Sequence, residues 1–417
     1  MVERGLPAEL LAELGLAPEG AGAGDGPSVA GRAALMRAAG RMGRIFRLSA
    51  PDAPGLAFIG GTASPSAYGL RADGLPAMNV SGRGLTAASA FAGCVGEAVE
   101  SLSRLEWGDE PLRRAGPEPL GAHRPATADR LAEAARSAVV DWLPARRLDD
   151  DRPCLVPADL CLRRAAPGGH EPGSAGCAAG ETWDDACLRA LLELIERDAA
   201  ALWWCGGQPA RPLAVETLMR DAGPMLLALR AGEAGRRTWF LDITTDLEVP
   251  VVAAVSTDPG GKGFACGLAA RASLAEAAAA AVIELCQMEL ANRLVALKLR
   301  RGGALAPVEQ RHRRRLEAVD AGRSAVLAAQ GNPRPDAAGI EAGTPGRQLG
   351  RIVEGLAARG IDCLAVDLTR TAIGIPVARV LAPFLQSLPV KSSTDRLEGA
   401  RIANRSRLAH LHDADLI

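Results

Sequence analysis

The chain has 417 residues, 48% of them hydrophobic and 23% charged, with a formal net charge of −1. This is the balance of a globular protein, with length for two or three ordinary domains or one large α/β unit. It excludes a bulk basic surface for nucleic acid, and the most apolar run, Ala277 to Ile283, is far too short to span a bilayer.

Residues 1–30 read as a short helix followed by a Gly/Ala/Pro linker from Pro18 to Pro27. Gly20-Ala-Gly-Ala-Gly24 is no dinucleotide fingerprint, because Asp25 stands where the third glycine belongs and no strand precedes it. Residues 31–47 read as an amphipathic basic helix that closes an N-terminal segment, 1–47. Ser49 to Gly84 read as short strands and turns. Three long helices are expected at about 86–106, 182–204 and 273–298. Thr238–Asp242 and Val249–Val255 read as strands flanking a turn at Thr245-Asp246, and Cys363–Leu368 with Val377–Leu381 repeat that arrangement. Pro/Gly/Arg-rich stretches at 113–126 and 331–347 read as loops. The fold class is therefore α/β (α+β) with mixed sheets: one large domain over 48–395, then a C-terminal tail, 396–417.

The nine cysteines form no Cys-x-x-Cys pair, so zinc-site and thioredoxin-like spacings are excluded and free thiols in a reducing cytoplasm are expected. Residues 1–19 lack an apolar signal-peptide core. The basic run Arg311-His-Arg-Arg-Arg315 reads as the solvated face of a helix. The five histidines (123, 170, 312, 410 and 412) have no metal or triad spacing and read as loop or surface residues.

The three expected helices share a pattern. Thr86, Thr182 and Ser273 are placed to cap them, Ser273-Leu-Ala-Glu276 as a capping box and Thr182-Trp-Asp-Asp185 as a looser one. Eleven residues beyond each cap stands a glutamate, Glu97, Glu193 or Glu284, and three further on Glu100, Glu196 or Gln287. Eleven residues rise about 16 Å, and an i,i+3 pair shares one helix face. Exposed surface acids are one reading. The other is a magnesium site, because Glu193, Glu196 and Glu284 are set among apolar residues and converging carboxylates need cations. Glycine-rich segments precede each helix: Gly82-Arg-Gly84, Gly173-Ser-Ala-Gly176 and Gly260-Gly-Lys-Gly263. They are either ordinary turns or backbone that approaches phosphates. None is a Walker A loop.

Ser174-Ala-Gly-Cys-Ala-Ala-Gly-Glu-Thr-Trp-Asp-Asp-Ala186, continuing through Ala190-Leu-Leu-Glu-Leu-Ile-Glu-Arg-Asp198, closely resembles the central signature of the YcaO family. Gly84-Leu-Thr86 with Gly96-Glu-Ala-Val-Glu100 is similar to that family's first acidic helix, and Asp242-Ile-Thr-Thr-Asp246 with Val249–Val252 to its strand pair. Glu284-Leu-Cys-Gln287 resembles the third acidic helix, and Asp367-Leu-Thr369, Gly374–Val377 and Arg379 the closing segment. The likeness runs from about residue 80 to 390.

The resemblance implies a single YcaO-like domain whose three acid-bearing helices line a nucleotide site. Glu97, Glu100, Glu193, Glu196 and Glu284 would hold magnesium against ATP, with Ser174, Arg197, Gln287, Arg83, Arg379 and Glu193 toward the nucleotide. It implies ATP- and Mg2+-dependent activation of peptide backbone amides in the maturation of ribosomally made peptides. The leading reaction is cyclodehydration of Cys, Ser or Thr to azolines by O-phosphorylation of the hemiorthoamide. Thioamidation with an external sulfide and a sulfur-donating partner is the alternative, or a catalytically idle scaffold. Expected partners are a precursor peptide, a separate leader-peptide-binding protein and a second copy as homodimer. The chain departs from the family pattern at Gly93, Ser101, Glu181 and Glu289, with Arg293 a candidate replacement for the arginine usual near Glu289; Arg83 replaces a usual lysine. The segment His410–Ile417 carries no Pro-x-Pro-x-Pro, which is typical of azoline-forming members.

Overall fold

The computed structural model describes residues 29–70, 77–115, 140–164, 172–231, 235–335, 340, 343–408 and 416. The expected N-terminal helix and linker, histidines 123, 170, 410 and 412, and parts of the two loop stretches lie outside the described residues. In chain order the elements are α1 (Val29–Ala39), β1 (Arg44–Leu48), β2 (Ala57–Ala63), β3 (Met78–Gly84), α2 (Ala87–Ser103), β4 (Arg113–Ala115), β5 (Val140–Arg147), β6 (Pro153–Pro157), β7 (Cys177–Ala179), α3 (Trp183–Trp204), β8 (Arg211–Pro212), α4 (Val215–Arg220), α5 (Ala222–Arg230), β9 (Arg237–Asp242), β10 (Val251–Thr257), β11 (Ala265–Ala270), α6 (Leu274–Arg300), α7 (Pro307–Ala318), α8 (Pro345–Ala358), β12 (Leu364–Asp367), β13 (Val377–Leu381), α9 (Asp395–Ala403) and α10 (Arg405–Leu408). The three long helices and both late strand pairs fall where the periodicity places them.

The chain divides into two compact units. The first takes Met1–Leu48, Ala57–Leu191 and Gly343–Phe384. It holds an antiparallel sheet ordered β1-β2-β3 and a second sheet ordered β4-β5-β12-β13-β7, with β6 paired to β5. Its core gathers Phe91, Val95, Val99 and Leu102 of α2 with Leu143, Val156, Val366 and Val377 from the strands. The second unit takes Ser49–Leu56, Leu192–Ala342 and Leu385–Ile417, with a sheet ordered β11-β10-β9-β8. All seven residues of β10 are buried, as a strand covered on both faces requires. Trp204 stacks on Phe264 with ring centroids 5.7 Å apart, and Trp203 Nε1 donates to Val326 O at 2.8 Å.

Strands and acid-bearing helices approach through glycine. A Cβ on Gly82 of β3 would lie 1.9 Å from Ala90 O of α2, and one on Gly267 of β11 would lie 2.2 Å from both Ala281 O and Leu285 N of α6. A Cβ on Gly180, just after β7, would lie 2.4 Å from Ala186 N of α3. The absent side chains let each backbone sit directly on a helix. Gly82-Arg-Gly84 is therefore strand, not a phosphate-approaching loop.

Two further expectations are corrected. The helix over 31–47 ends at Ala39, and Arg44–Leu48 form β1, where Phe46 pairs with Gly60 of β2. The Phe46 ring fills the space over Gly60, whose Cβ would lie 2.6 Å from it, so cross-strand packing outweighs helical periodicity. In the basic run, Arg311, Arg313 and Arg314 are exposed on α7, but Arg315 is buried, with its guanidinium donating to Leu416 O and bonded to His312 Nδ1. Burial, with Arg315 and Arg311 nearby, holds the His312 imidazole down at about 4. No described helix is long and apolar enough to cross a membrane.

Candidate functional site

Thr86, Thr182 and Ser273 cap the acid helices as the sequence indicates, but the complete capping box forms at Thr86–Ser89 rather than at Ser273–Glu276. Thr86 Oγ1 accepts from Ser89 N at 3.1 Å in a complete capping box. Thr182 Oγ1 accepts from Asp185 N at 3.2 Å, and Ser273 Oγ from Glu276 N at 3.2 Å.

In the first unit, Glu97 Oε2 accepts from Ser81 N at 2.7 Å, a reach made short by the neighbouring Gly82 contact. Burial pushes the Glu97 carboxyl up, opposed by the Ser81 hydrogen bonds and the nearby Arg83 charge. One turn on, Glu100 Oε1 accepts from Ala179 N at 2.8 Å. The two acids of α2 are thus hooked to β3 and to β7. Ser174 is exposed on the turn before β7. Buried Arg379 of β13 clamps that turn, its Nη1 donating to Gly173 O at 3.0 Å, Ser174 O at 3.4 Å and Ala175 O at 2.5 Å. Ser174 and Arg379 are therefore brought together, with the guanidinium bound to the turn's carbonyls.

In the second unit, Glu193 and Glu196 of α3 lie near Glu284 of α6. Arg197 Nη2 is 3.4 Å from Glu193 Oε1 and 3.9 Å from Glu196 Oε1. Glu196 is only 8% exposed. Burial pushes its carboxyl up to about 7; Arg197 opposes the shift, Glu284 and Glu193 add to it, and Arg271 opposes it. Arg197 Nη1 is buried with no hydrogen-bond partner. Gln287 stands one turn beyond Glu284 on α6. Thus Glu193 and Glu196 lie beside Arg197 in this unit, with the Glu284 charge bearing on them, while Glu97, Glu100, Arg83, Ser174 and Arg379 belong to the first.

Sequence reasoning missed Arg271, whose charge bears on Glu196 from just beyond β11. It also missed Asp198, which is fully buried and paired with Arg396 at 2.7 Å; an acid inside the apolar stretch of α3 was the available signal. Arg293, the candidate replacement for the usual arginine, is bonded to Asp52 at 2.7 and 2.6 Å.

The donor set fits magnesium with a polyphosphate. Among the described residues no three His, Cys, Asp or Glu side chains are already gathered to hold a metal. Magnesium does not need such a cage, since it keeps waters and binds through one or two carboxylates plus substrate phosphates. Mutually repelling acids around Glu196 call for a cation, and the orphaned Arg197 nitrogen calls for an anionic oxygen. Burial pushes the thiols of Cys94, Cys161, Cys187, Cys286 and Cys363 up to about 12.

The fold is that of a mixed α/β protein. The profile of the family described as YcaO cyclodehydratase, ATP- and Mg2+-binding, matches residues 81–386, and the chain belongs to the YcaO family. An uncharacterized protein in the tfuA 3′ region of Rhizobium leguminosarum bv. trifolii is 26% identical over 350 residues, 77% of this chain and 80% of its own. A heterocyclase in complex with substrate and cofactor has the same fold at a TM-score of 0.68 and 22% identity, over 85% of this chain and 51% of its own, so this chain spans about half its length. YcaO from Methanopyrus kandleri, bound with AMPPCP and Mg2+, matches at a TM-score of 0.60 and 18% identity, over 84% of this chain and 87% of its own.

Proposed function

We propose that the protein uses ATP and Mg2+ to activate backbone amides of a ribosomally made precursor peptide, with cyclodehydration of Cys, Ser or Thr to azolines as its reaction. The observation that carries this reading is the buried Glu196, with the half-buried Glu193 and Glu284 charges bearing on it beside Arg197, whose Nη1 lacks an acceptor. When bound, Mg-ATP would supply a phosphoryl group to the former amide oxygen, releasing ADP, so that this oxygen could leave as phosphate when the ring closes.

The chain's own part is to bind and orient. The residues proposed to hold magnesium are Glu193, Glu196 and Glu284 in the second unit and Glu97 and Glu100 in the first. The residues proposed toward the nucleotide are Arg197 and Gln287 in the second unit and Ser174, Arg83 and Arg379 in the first, where Arg379 also keeps the Ser174 turn in place. Such positioning and charge neutralisation is what phosphoryl transfer asks of a protein. A separate leader-binding partner delivers the peptide.

The test incubates the full chain with Mg-ATP, a Cys/Ser/Thr-bearing precursor peptide and its partner. Phosphate release with loss of one water per ring, abolished in Glu196→Ala, is expected. Exchange of oxygen for sulfur in the peptide would redirect the reading to thioamide formation. No phosphate release, with modification in vivo unchanged in Glu193→Ala, would sink it.

A further inference from the structure

Glu289 lies on α6, five residues after Glu284 and two after Gln287. At 100° per residue it points about 140° away from Glu284 and about 160° away from Gln287, on the back of the helix. Its side chain is 1% exposed, and both oxygens are used. Arg230, at the end of α5, donates from Nη1 to Oε2 at 2.5 Å and from Nη2 to Oε1 at 2.7 Å. Ser256 Oγ of β10 donates to Oε1 at 2.6 Å, and Arg236 Nε lies 3.0 Å from the same oxygen.

The network extends beyond the carboxylate. Arg236 Nη2 donates to Gly263 O at 2.6 Å, holding the β10–β11 turn. Arg230 Nη1 also donates to Asp52 O at 2.6 Å, and Arg293, one turn along α6 from Glu289, pairs with the Asp52 carboxylate. One buried carboxylate therefore ties α6 to α5, to β10, to the glycine turn and to the 49–56 segment. Buried charge networks of this kind are a weak source of net stability, but when fully satisfied they fix one geometry.

We propose that Glu289 is a positioning residue for the acid face of α6: it locks the back of the helix so that the rotation of Glu284 and Gln287 is set. The proposal rests on the reading that this face serves Mg-ATP. Neither Glu289 nor Arg230 touches the nucleotide; both act through α6. At the position where an arginine is usual, this chain places an acid and draws its arginines from residues 230 and 236.

The experiment titrates Mg2+ at fixed ATP into the full chain by calorimetry, with circular dichroism and melting curves alongside. Glu289→Gln is expected to weaken Mg-ATP binding about tenfold, with Glu289→Asp, which keeps the charge, recovering at least about half of that loss on a logarithmic scale. A Glu289→Gln variant that melts earlier but binds Mg-ATP like the wild type overturns the proposal, since only packing was lost. Should Glu289→Gln not fold, Ser256→Ala decides: removing one donor weakens binding about threefold if Glu289 positions α6, and unchanged affinity overturns the idea. A folded wild-type chain that takes up no Mg-ATP is a different result, one that removes the functional reading and this inference with it.

Discussion

Glu196 carries opposing demands in one side chain. Without ligand its carboxyl is pushed up to about 7, from an ordinary value of 4.5, by burial among other acids. Between those values the folded chain binds more protons than the unfolded one, so its contribution to stability falls as pH rises from 4.5 through 7. Glu196→Gln is therefore expected to flatten this slope and to stabilise the ligand-free protein at pH 8 by on the order of 2 kcal/mol, read from melting curves. The same variant is expected to lose Mg-ATP-dependent phosphate release, the usual trade between stability and a strained site. Arg379 makes the opposite kind of prediction. Its Nη1 serves three carbonyls of one turn, so Arg379→Ala should loosen that turn, while Arg379→Lys, which offers three N–H donors from one nitrogen, should restore part of it. Faster hydrogen exchange at Cys177 N, which donates to Ser174 O at 3.1 Å, is the readout, and unchanged exchange would refute the clamp.

At the scale of the element, much of the candidate site was written in helix grammar. Caps at Thr86, Thr182 and Ser273, and acids eleven and fourteen residues on, are local features, and local features survive translation into structure. Strand β1 was hidden because its partner, Gly60 of β2, is a bare surface that only the Phe46 ring makes good. The glycine segments were visible, but their purpose was not. At Gly82 and Gly267 the missing Cβ makes room for a helix backbone, a contact set by residues 90 and 281 rather than by the neighbouring sequence. Gly267→Ala must push β11 off α6, and a destabilisation of about 3 kcal/mol is expected in urea melts. Gly96→Ala, on a glycine with nothing within 4 Å of the added carbon, is the control and should be neutral or stabilising. Equal losses at the two positions would contradict the close-approach account.

For the whole molecule, the family was legible because its signatures are contiguous, whereas the Glu289 hub was not, since its partners are drawn from residues 230, 236 and 256. Likewise Arg315 sat in a run of charge that reads as solvated surface, and only its contacts to Leu416 and His312 show that it is buried. Long-range ion pairs of this sort leave no periodic trace. They do leave a thermodynamic one once the protein's ligand is present. A folded chain that binds Mg-ATP while the unfolded chain does not is stabilised by about 2.7 kcal/mol when the ligand stands at a hundred times its Kd. The melting temperature should therefore climb with Mg-ATP concentration, and ATP with excess chelator should give none of that climb. Glu196→Ala should abolish it, because the carboxylate that needs the cation is gone. Glu289→Gln should only displace the curve to higher ligand concentration, since its acid face is intact but poorly aimed. If both variants moved the curve identically, holding the metal and aiming its holders would be one role instead of two.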